Sequence, residues 1–257
     1  MKRIKFTHLK NRCAGCNAPG KRMNKEHIFP EWLIMRSNSY RTAIRWFGKR
    51  IFPLAATLPL CIDCNTEFGR DLEEPVSKLF DAIGRGQGIS DVEAELLVRW
   101  LWKIKGLAWI ATHPGGTYTS RYTLRERVLY PIDSIRPSLL LGVSLIDQID
   151  PHYGDLPMGV DAETEVDAVF VSGVFLKIAV IVLRAQFRNL VPIQFDLYSL
   201  ADRRGDGGTA KLFYPRVNFR TDAEAVTVTA MASVPLSREH DEFALQLQRE
   251  ETSKNAG

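Results

Sequence analysis

The sequence Cys13-Ala-Gly-Cys16 has a counterpart in Cys61-Ile-Asp-Cys64, and these two pairs contain all four cysteines of the 257-residue chain. Each Cys-x-x-Cys turn can place two thiolates on one side of a zinc ion, at Zn–S distances of ~2.3 Å. Two matched turns therefore predict one structural, tetrahedral Cys₄ zinc site and argue against a redox-active cysteine pair. A reducing compartment, where thiols stay free, fits the same interpretation.

An acid, an imidazole and an amide lie close to these cysteines in the sequence. Glu26 and His27 stand between the two cysteine pairs, and Asn65 directly follows the second pair. Polar side chains bracketed by a zinc site in this way are candidates for a second, catalytic centre. An imidazole can accept a proton from water at cellular pH, and carboxylate and amide oxygens suit Mg²⁺ or Mn²⁺ better than Zn²⁺.

Residues 13–70 resemble the HNH endonuclease superfamily, also called ββα-metal or treble-clef nucleases. The matching pieces are the two cysteine pairs, Glu26 to Leu33, Leu58 to Leu60, and Asn65 leading into Phe68-Gly69. The resemblance implies a β-hairpin whose first strand ends at the acid and histidine, with Arg45 to Pro53 or a nearby stretch as the second strand. A helix that begins near the second cysteine pair would follow and would carry the last polar residue.

The resemblance also implies an activity, namely metal-dependent hydrolysis of phosphodiester bonds in DNA. Glu26 and Asn65 would hold one catalytic Mg²⁺ or Mn²⁺, and His27 would be the general base. Bacterial relatives of this layout often serve in restriction, phage defence or mobile elements, and phage defence or restriction is the expected setting here.

Two positions depart from the pattern of the family. Glu26 stands where relatives more often have Asp or His, and residues 55–57, Ala-Ala-Thr, lack the middle Asn that helps to hold the histidine in relatives. A backbone carbonyl or Asn38 would have to orient His27 instead. The competing hypothesis is a catalytically inactive, zinc-stabilised nucleic-acid-binding module, which would have no need of the set Glu26, His27 and Asn65.

Basic residues are concentrated near the start of the chain. Residues 1–50 contain 13 Lys and Arg but only two acidic residues, so they carry a net charge of +11, while the other 207 residues carry −7. Phosphate contacts release counterions and give affinity without sequence information, so this charge predicts a polyanionic partner, although basic N-terminal segments are also common as plain solvated surface. The resemblance implies that this partner is DNA, with RNA not excluded. The candidate contacts are Lys49, Arg50 and Arg70, although ordinary solvated side chains explain them equally well.

The apolar pattern predicts neither a secretory signal nor a bilayer span. No apolar stretch follows the basic residues Met1 to Lys5, and the longest apolar run, Ala168 to Leu183, is interrupted by Lys177. This run is short for a membrane span and rich in Val and Ile, so it predicts paired buried strands. A cytoplasmic protein is therefore expected.

The predicted fold class is α+β, in two domains. Residues 1–85 are expected to form the ββα-metal (treble-clef), zinc-bound nuclease domain, and residues 86–257 a C-terminal α+β domain with a buried helix and several strands. The Gly-rich stretch at 84–88 marks the boundary. A capping box of Ser90 and Glu93 should open the buried helix, which should end near Thr112.

The rest of the C-terminal region is predicted to contain strands and one surface helix. Its β-branched segments predict strands near 139–146, 168–170, 175–183, 193–198 and 225–232, and a helix is expected at 237–250. Because residues 86–257 exceed what cleavage requires, they are expected to serve recognition, oligomerisation or regulation, through a second copy or a regulatory partner. A third hypothesis follows, that of a toxin or defence effector whose C-terminal region senses a signal.

Overall fold

The computed structural model describes residues 4–6, 11–41, 43–46, 49–112, 118–120, 122–149, 169–201 and 212–254. Within these ranges the protein has the predicted mixed α+β composition. The strands are β1 (Ile4–Phe6), β2 (Met23–His27), β3 (Ile44–Trp46), β4 (Lys49–Ile51), β5 (Thr57–Cys61), β6 (Tyr118–Ser120), β7 (Leu139–Gln148), β8 (Val171–Phe175), β9 (Ile178–Arg184), β10 (Asp196–Ser199) and β11 (Val217–Thr221). The helices are α1 (Glu31–Arg36), α2 (Ile62–Phe68), α3 (Glu74–Gly84), α4 (Asp91–Thr112), α5 (Leu124–Leu129) and α6 (Asp222–Lys254).

A β-hairpin followed by a helix carries the second cysteine pair. Strand β2 pairs antiparallel with β5, in a register that places Met23 opposite Cys61 and His27 opposite Thr57. Helix α2 begins directly after Cys61, so His27 lies at the far end of the hairpin from the start of this helix. The second hairpin strand was expected at Arg45 to Pro53 or a nearby stretch; it is the nearby β5, whereas β3 and β4 within Arg45 to Pro53 pair with each other.

The helical chain after the hairpin is continuous but not uniform. A π-helical turn, Gly69–Glu73, joins α2 to α3. Such a turn inserts an extra residue into the α-helical ladder and shifts the side chains that follow it, and π-turns of this kind are frequent at functional sites. Glu73 is the last residue of this turn.

Helix α4 is the central helix of the molecule. As predicted, Ser90 and Glu93 form its capping box: the Ser90 amide donates to Glu93 Oε2 at 2.8 Å, and the Glu93 amide donates to Ser90 Oγ at 3.4 Å. Every residue from Trp100 to Ile110 is buried. The predicted domain boundary falls between α3 and α4, and the buried core continues across it. Among the described residues, no helix is both long and apolar enough to cross a bilayer.

An aromatic cluster centred on Trp100 joins the two ends of this core. The ring centroid of Trp100 lies 5.9 Å from that of Trp32, 5.4 Å from that of Phe80 and 5.2 Å from that of Phe175. Two of these partners precede α4 in the chain, and Phe175 belongs to the sheet that follows it. The hairpin side and the sheet side of the protein therefore pack on one side chain.

Replacing Trp100 with alanine should destabilise the hairpin side and the sheet side of the protein together. We expect a loss of about 3–5 kcal/mol in the free energy of unfolding, since truncating a buried aromatic ring leaves a cavity among rings that cannot collapse around it. Urea unfolding followed by circular dichroism measures this loss. Trp100→Phe, which keeps an aromatic ring, is the matched control and should cost less. Equal costs for the two variants would contradict this account of the packing.

The C-terminal sheet is built around β7. This strand pairs antiparallel with β9 and β10 and parallel with β11, while β8 pairs antiparallel with β9. Segments 139–146 and 193–198 were predicted as strands and contain most of β7 and most of β10. Segment 175–183 is two strands rather than one, because a turn at Leu176-Lys177 separates β8 from β9. In segment 168–170, residue 168 lies outside the described residues, and residues 169–170 precede β8.

The strand predicted at 225–232 is wrong, because this segment lies in α6, which also contains the helix predicted at 237–250. The hydroxyl of Thr221 accepts a hydrogen bond from the Glu224 amide at 3.1 Å, which caps the start of this helix. The residues buried along its first half recur at helical spacing: Ala225, Thr229, Ala232, Leu236 and His240. This apolar face packs on the sheet, and that contact outweighs the strand propensity of the β-branched residues.

Candidate functional site

The four cysteines form one compact cluster. Their sulfur atoms all lie within 4.8 Å of one another, and Cys16 Sγ is 3.8 Å from Cys61 Sγ. Sulfurs at the corners of a tetrahedron around zinc, each at ~2.3 Å from the ion, would be about 3.8 Å apart. The cluster can therefore hold a metal ion, and its geometry is consistent with structural zinc, as the cysteine spacing predicts.

Hydrogen bonds to Cys13 favour the thiolate form that a metal requires. The Cys64 thiol donates to the Cys13 sulfur, which together with backbone amides lowers the pKa of Cys13 to about 4, against the opposing effect of burial. Two of these amides belong to Gly15, at 3.3 Å, and Cys61, at 3.2 Å. As the donor of that hydrogen bond, Cys64 has a raised pKa. The backbone amides around Cys13 thus stabilise its thiolate.

A residue of the C-terminal region, Arg125, contacts the cysteine turns directly. The Arg125 amide donates to the Gly15 carbonyl at 2.9 Å. The Arg125 guanidinium binds both carboxylate oxygens of Glu67, at 2.5 and 2.7 Å, and this hydrogen bonding lowers the pKa of Glu67. Asp63 pairs with Lys21 at 2.9 Å. The two acids that flank Asn65 are therefore both engaged by cations.

A second cluster of charges lies at the other end of the hairpin. Lys103 on α4 has a fully buried side chain, and its ammonium donates to Glu26 Oε1 and to Glu73 Oε1. The side chains of Glu26 and Glu73 are 13% and 18% exposed. Because a buried ammonium is costly unless it is paired, this arrangement fixes the two carboxylates close to each other.

His27 borders this carboxylate pair. It follows Glu26 at the end of β2. Burial raises the pKa of Glu73, and Glu26 adds to that effect, whereas Lys103 and His27 oppose it. Two carboxylates thus share one lysine, and His27 directly follows one of them in the chain.

Asn65 occupies a different position on the same run of helix. It lies eight residues before Glu73, which corresponds to ~12 Å along a helix axis. The side chain is half-buried, and no hydrogen bond or ion pair among the described residues joins its amide to Glu26. The structure therefore brings Glu26 and His27 together with Glu73, and it shows no contact that adds Asn65 to them.

The remaining candidates from the sequence lie on the surface or outside the described side chains. Arg70 is exposed, and its guanidinium binds both carboxylate oxygens of Asp71, at 2.6 and 2.7 Å. Lys49 and Arg50 belong to β4, but their side chains lie outside the described residues. Asn38 is exposed, with a left-handed φ of 56°, and within the described ranges no hydrogen bond links it to His27.

Sequence reasoning missed Glu73 and Lys103. One signal for them was present, since Lys103 lies in a helix that is apolar on nearly every face. A lysine in such a helix is almost never fully buried unless it is paired, and it therefore indicates an acidic partner elsewhere in the chain. That partner could not be identified without the fold, because Glu26 is 77 residues away and Glu73 is 30 residues away.

Comparisons of this chain with models of protein families, with curated proteins and with solved structures found no match. Roles for the cysteine cluster and for the charges around His27 are accordingly proposed from their own chemistry and geometry.

Proposed function

We propose that this protein is a metal-dependent endonuclease of the HNH type, which hydrolyses phosphodiester bonds in DNA. The observation that carries the proposal is the position of His27: it directly follows one of two carboxylates that share a buried lysine, at the end of a hairpin that leads into a four-cysteine cluster and a helix. The β2–β5–α2 order is consistent with the ββα-metal (treble-clef) fold that the resemblance implies.

In this proposal the cysteine cluster holds zinc with a structural role. Four thiolates complete a tetrahedral coordination sphere and leave no open position for a substrate or a water molecule. The ion would tie the turn at Cys13 to the start of α2, and so hold the base of the hairpin. Chemistry would then belong to the opposite end of the hairpin, where the cluster of acids lies.

A second, exchangeable metal belongs to that opposite end. Glu26 would hold one Mg²⁺ or Mn²⁺ there, because carboxylate oxygens are hard ligands that suit such an ion. Asn65, the other ligand that the resemblance implies, has no contact with Glu26 among the described residues. Two carboxylates and one ammonium also leave an excess negative charge if both acids are ionised. A divalent ion bound there would offset the charge that builds on the phosphate and on the leaving oxygen.

His27 would accept the proton of the attacking water. The basic segment at residues 1–50 would supply backbone contacts to the polyanion, with Lys49, Arg50 and Arg70 as the proposed contacts. Residues 86–257 would serve recognition, oligomerisation or regulation, in a setting of phage defence or restriction.

Cleavage of supercoiled plasmid by the full-length protein tests this function. The expected result is nicked or linear DNA in Mg²⁺ or Mn²⁺ and intact plasmid in EDTA, with activity restored when Mg²⁺ is added back after mild chelation. Zinc content measured on the same samples should stay at one ion per chain, because a closed thiolate site exchanges slowly. Cleavage that persists in EDTA would overturn the metal-dependent mechanism.

A second candidate function is a binding module that does not cleave, and the buried ion pair of Lys103 favours it specifically. If the ammonium holds Glu26 and Glu73 permanently, its positive charge opposes the binding of a divalent ion between them. Under this alternative the zinc-loaded protein retains plasmid in a gel shift but leaves it intact with every metal. The cleavage assay therefore separates the two functions.

A further inference from the structure

We propose that Lys103 is a built-in cation that holds the place of the catalytic metal between Glu26 and Glu73, and that a divalent ion binds there by displacing its ammonium. This inference rests on the proposed nuclease function and makes Glu73 a further ligand of the same ion. It also makes metal loading a property of the C-terminal region, because Lys103 belongs to α4.

The burial of Lys103 supports the first step. Its side chain is 0% exposed, and both of its carboxylate partners keep a small exposed fraction, 13% for Glu26 and 18% for Glu73. The cluster is thus closed on the side of α4 and reachable from solvent on the side of the acids. An ion arriving from water meets the carboxylates first and the ammonium behind them.

The spacing of the carboxylates supports the second step. One ammonium hydrogen-bonds to both acids, so their Oε1 atoms lie no more than ~6 Å apart, twice the length of a typical hydrogen bond. Oxygens that ligate one Mg²⁺ at ~2.1 Å lie about 3–4 Å apart. Small side-chain rotations of Glu26 and Glu73 therefore convert the hydrogen-bonded pair into a pair of metal ligands.

The surroundings of the ammonium supply the third step, a place for Lys103 to go. Its Nζ atom lies 5.5 Å from the ring centroid of Phe68, which is itself fully buried. An aromatic face at this distance attracts a cation through the ring quadrupole. The displaced ammonium can move toward this face without leaving the interior, which limits the cost of losing its two carboxylate partners.

Binding of Mn²⁺ to the full-length, zinc-loaded protein tests the displacement. Electron paramagnetic resonance measures free Mn²⁺ directly and does not depend on cleavage. Lys103→Met removes the competing charge while keeping an unbranched side chain, and we expect it to bind Mn²⁺ on the order of 10- to 100-fold tighter than the wild type. Glu73→Gln should bind Mn²⁺ at least ~10-fold more weakly, because one charged ligand is lost.

Lys105→Met is the matched control. Lys105 lies on the same helix and is also buried, but its ammonium donates to the Phe170 carbonyl at 2.6 Å. Its replacement should leave the affinity for Mn²⁺ at the wild-type value. Should Lys103→Met fail to fold, as shown by circular dichroism and zinc content, the comparison moves to the Glu73→Gln background. The double variant lacks one negative and one positive charge relative to the wild type. It should bind Mn²⁺ more tightly than Glu73→Gln alone.

Three outcomes decide the matter. Tighter Mn²⁺ binding by Lys103→Met, with Lys105→Met unchanged, supports displacement. If Lys103→Met and the wild type bind Mn²⁺ with equal affinity, displacement is overturned. The proposed nuclease function is not, because both proteins still bind the metal. Absence of Mn²⁺ binding in the wild type and in Lys103→Met overturns the displacement together with the metal-dependent function.

Discussion

Replacing Cys64 with serine is expected to release the zinc ion and to unfold the hairpin and helix that surround it. Cys64 is buried, and its thiol is hydrogen-bonded to Cys13 in a cluster whose sulfurs lie within 4.8 Å of one another. Binding of structural zinc contributes about 10–16 kcal/mol in small zinc domains, and a serine oxygen in place of one thiolate forfeits much of it. A loss of this size is comparable to the usual stability of a whole domain.

The measurement is zinc content by mass spectrometry, together with thermal unfolding, on the full-length chain. Asp63→Asn is the matched control, because Asp63 lies between the same two cysteines but is exposed and makes only a surface ion pair with Lys21. Such a pair contributes about 0–1 kcal/mol, so this variant should keep its zinc. A Cys64→Ser protein that is stable and cooperatively folded without zinc would refute the structural role of the cluster.

The parts of the fold that could be predicted from the sequence depend on local chemistry. Two Cys-x-x-Cys turns have few uses, and their spacing alone specifies the cluster. The start of α4 was equally accessible, because Ser90 and Glu93 satisfy each other within a single turn of helix. Within each Cys-x-x-Cys turn, and within the capping box, the deciding residues are near neighbours in the chain, so a local pattern is enough to recognise them.

The predictions that failed concern features that depend on contacts between residues far apart in the chain. Segment 225–232 was predicted as a strand because it is rich in β-branched residues, but it is helical because its Ala225 and Ala232 face the sheet. The partners of Lys103 were out of reach for the same reason. Contacts across 30 and 77 residues are created by the packing of α4 on the hairpin and the π-turn, which no local pattern encodes.

Asn65 shows that a residue can match a sequence motif without a contact that joins it to the other residues of the motif. Asn65 follows Cys64 in the sequence, but whether it lies beside Glu26 depends on the fold. Glu73, two helical turns later, is the acid that the structure joins to Glu26 through Lys103. Because a π-turn interrupts the α-helix between Asn65 and Glu73, helical periodicity counted from Asn65 does not predict the direction of the Glu73 side chain.

Replacing His27 with alanine is expected to abolish cleavage while leaving DNA binding intact. General-base catalysis typically contributes 10²- to 10⁴-fold, so we expect the rate of plasmid nicking to fall by about that factor. The ring is only half-buried and lies at the end of β2, so its removal should leave the fold and the zinc content unchanged. Single-turnover nicking in Mg²⁺, beside a gel shift in EDTA, separates the two effects.

Asn24→Ala, an exposed change three residues earlier on the same strand, is the matched control and should cleave at the wild-type rate. Added imidazole should restore part of the activity of His27→Ala, because a free base can enter the space that the ring leaves beside Glu73. A merely structural histidine would not be rescued in this way. Undiminished nicking by His27→Ala would remove His27 from the mechanism, and with it the observation on which the proposed function depends.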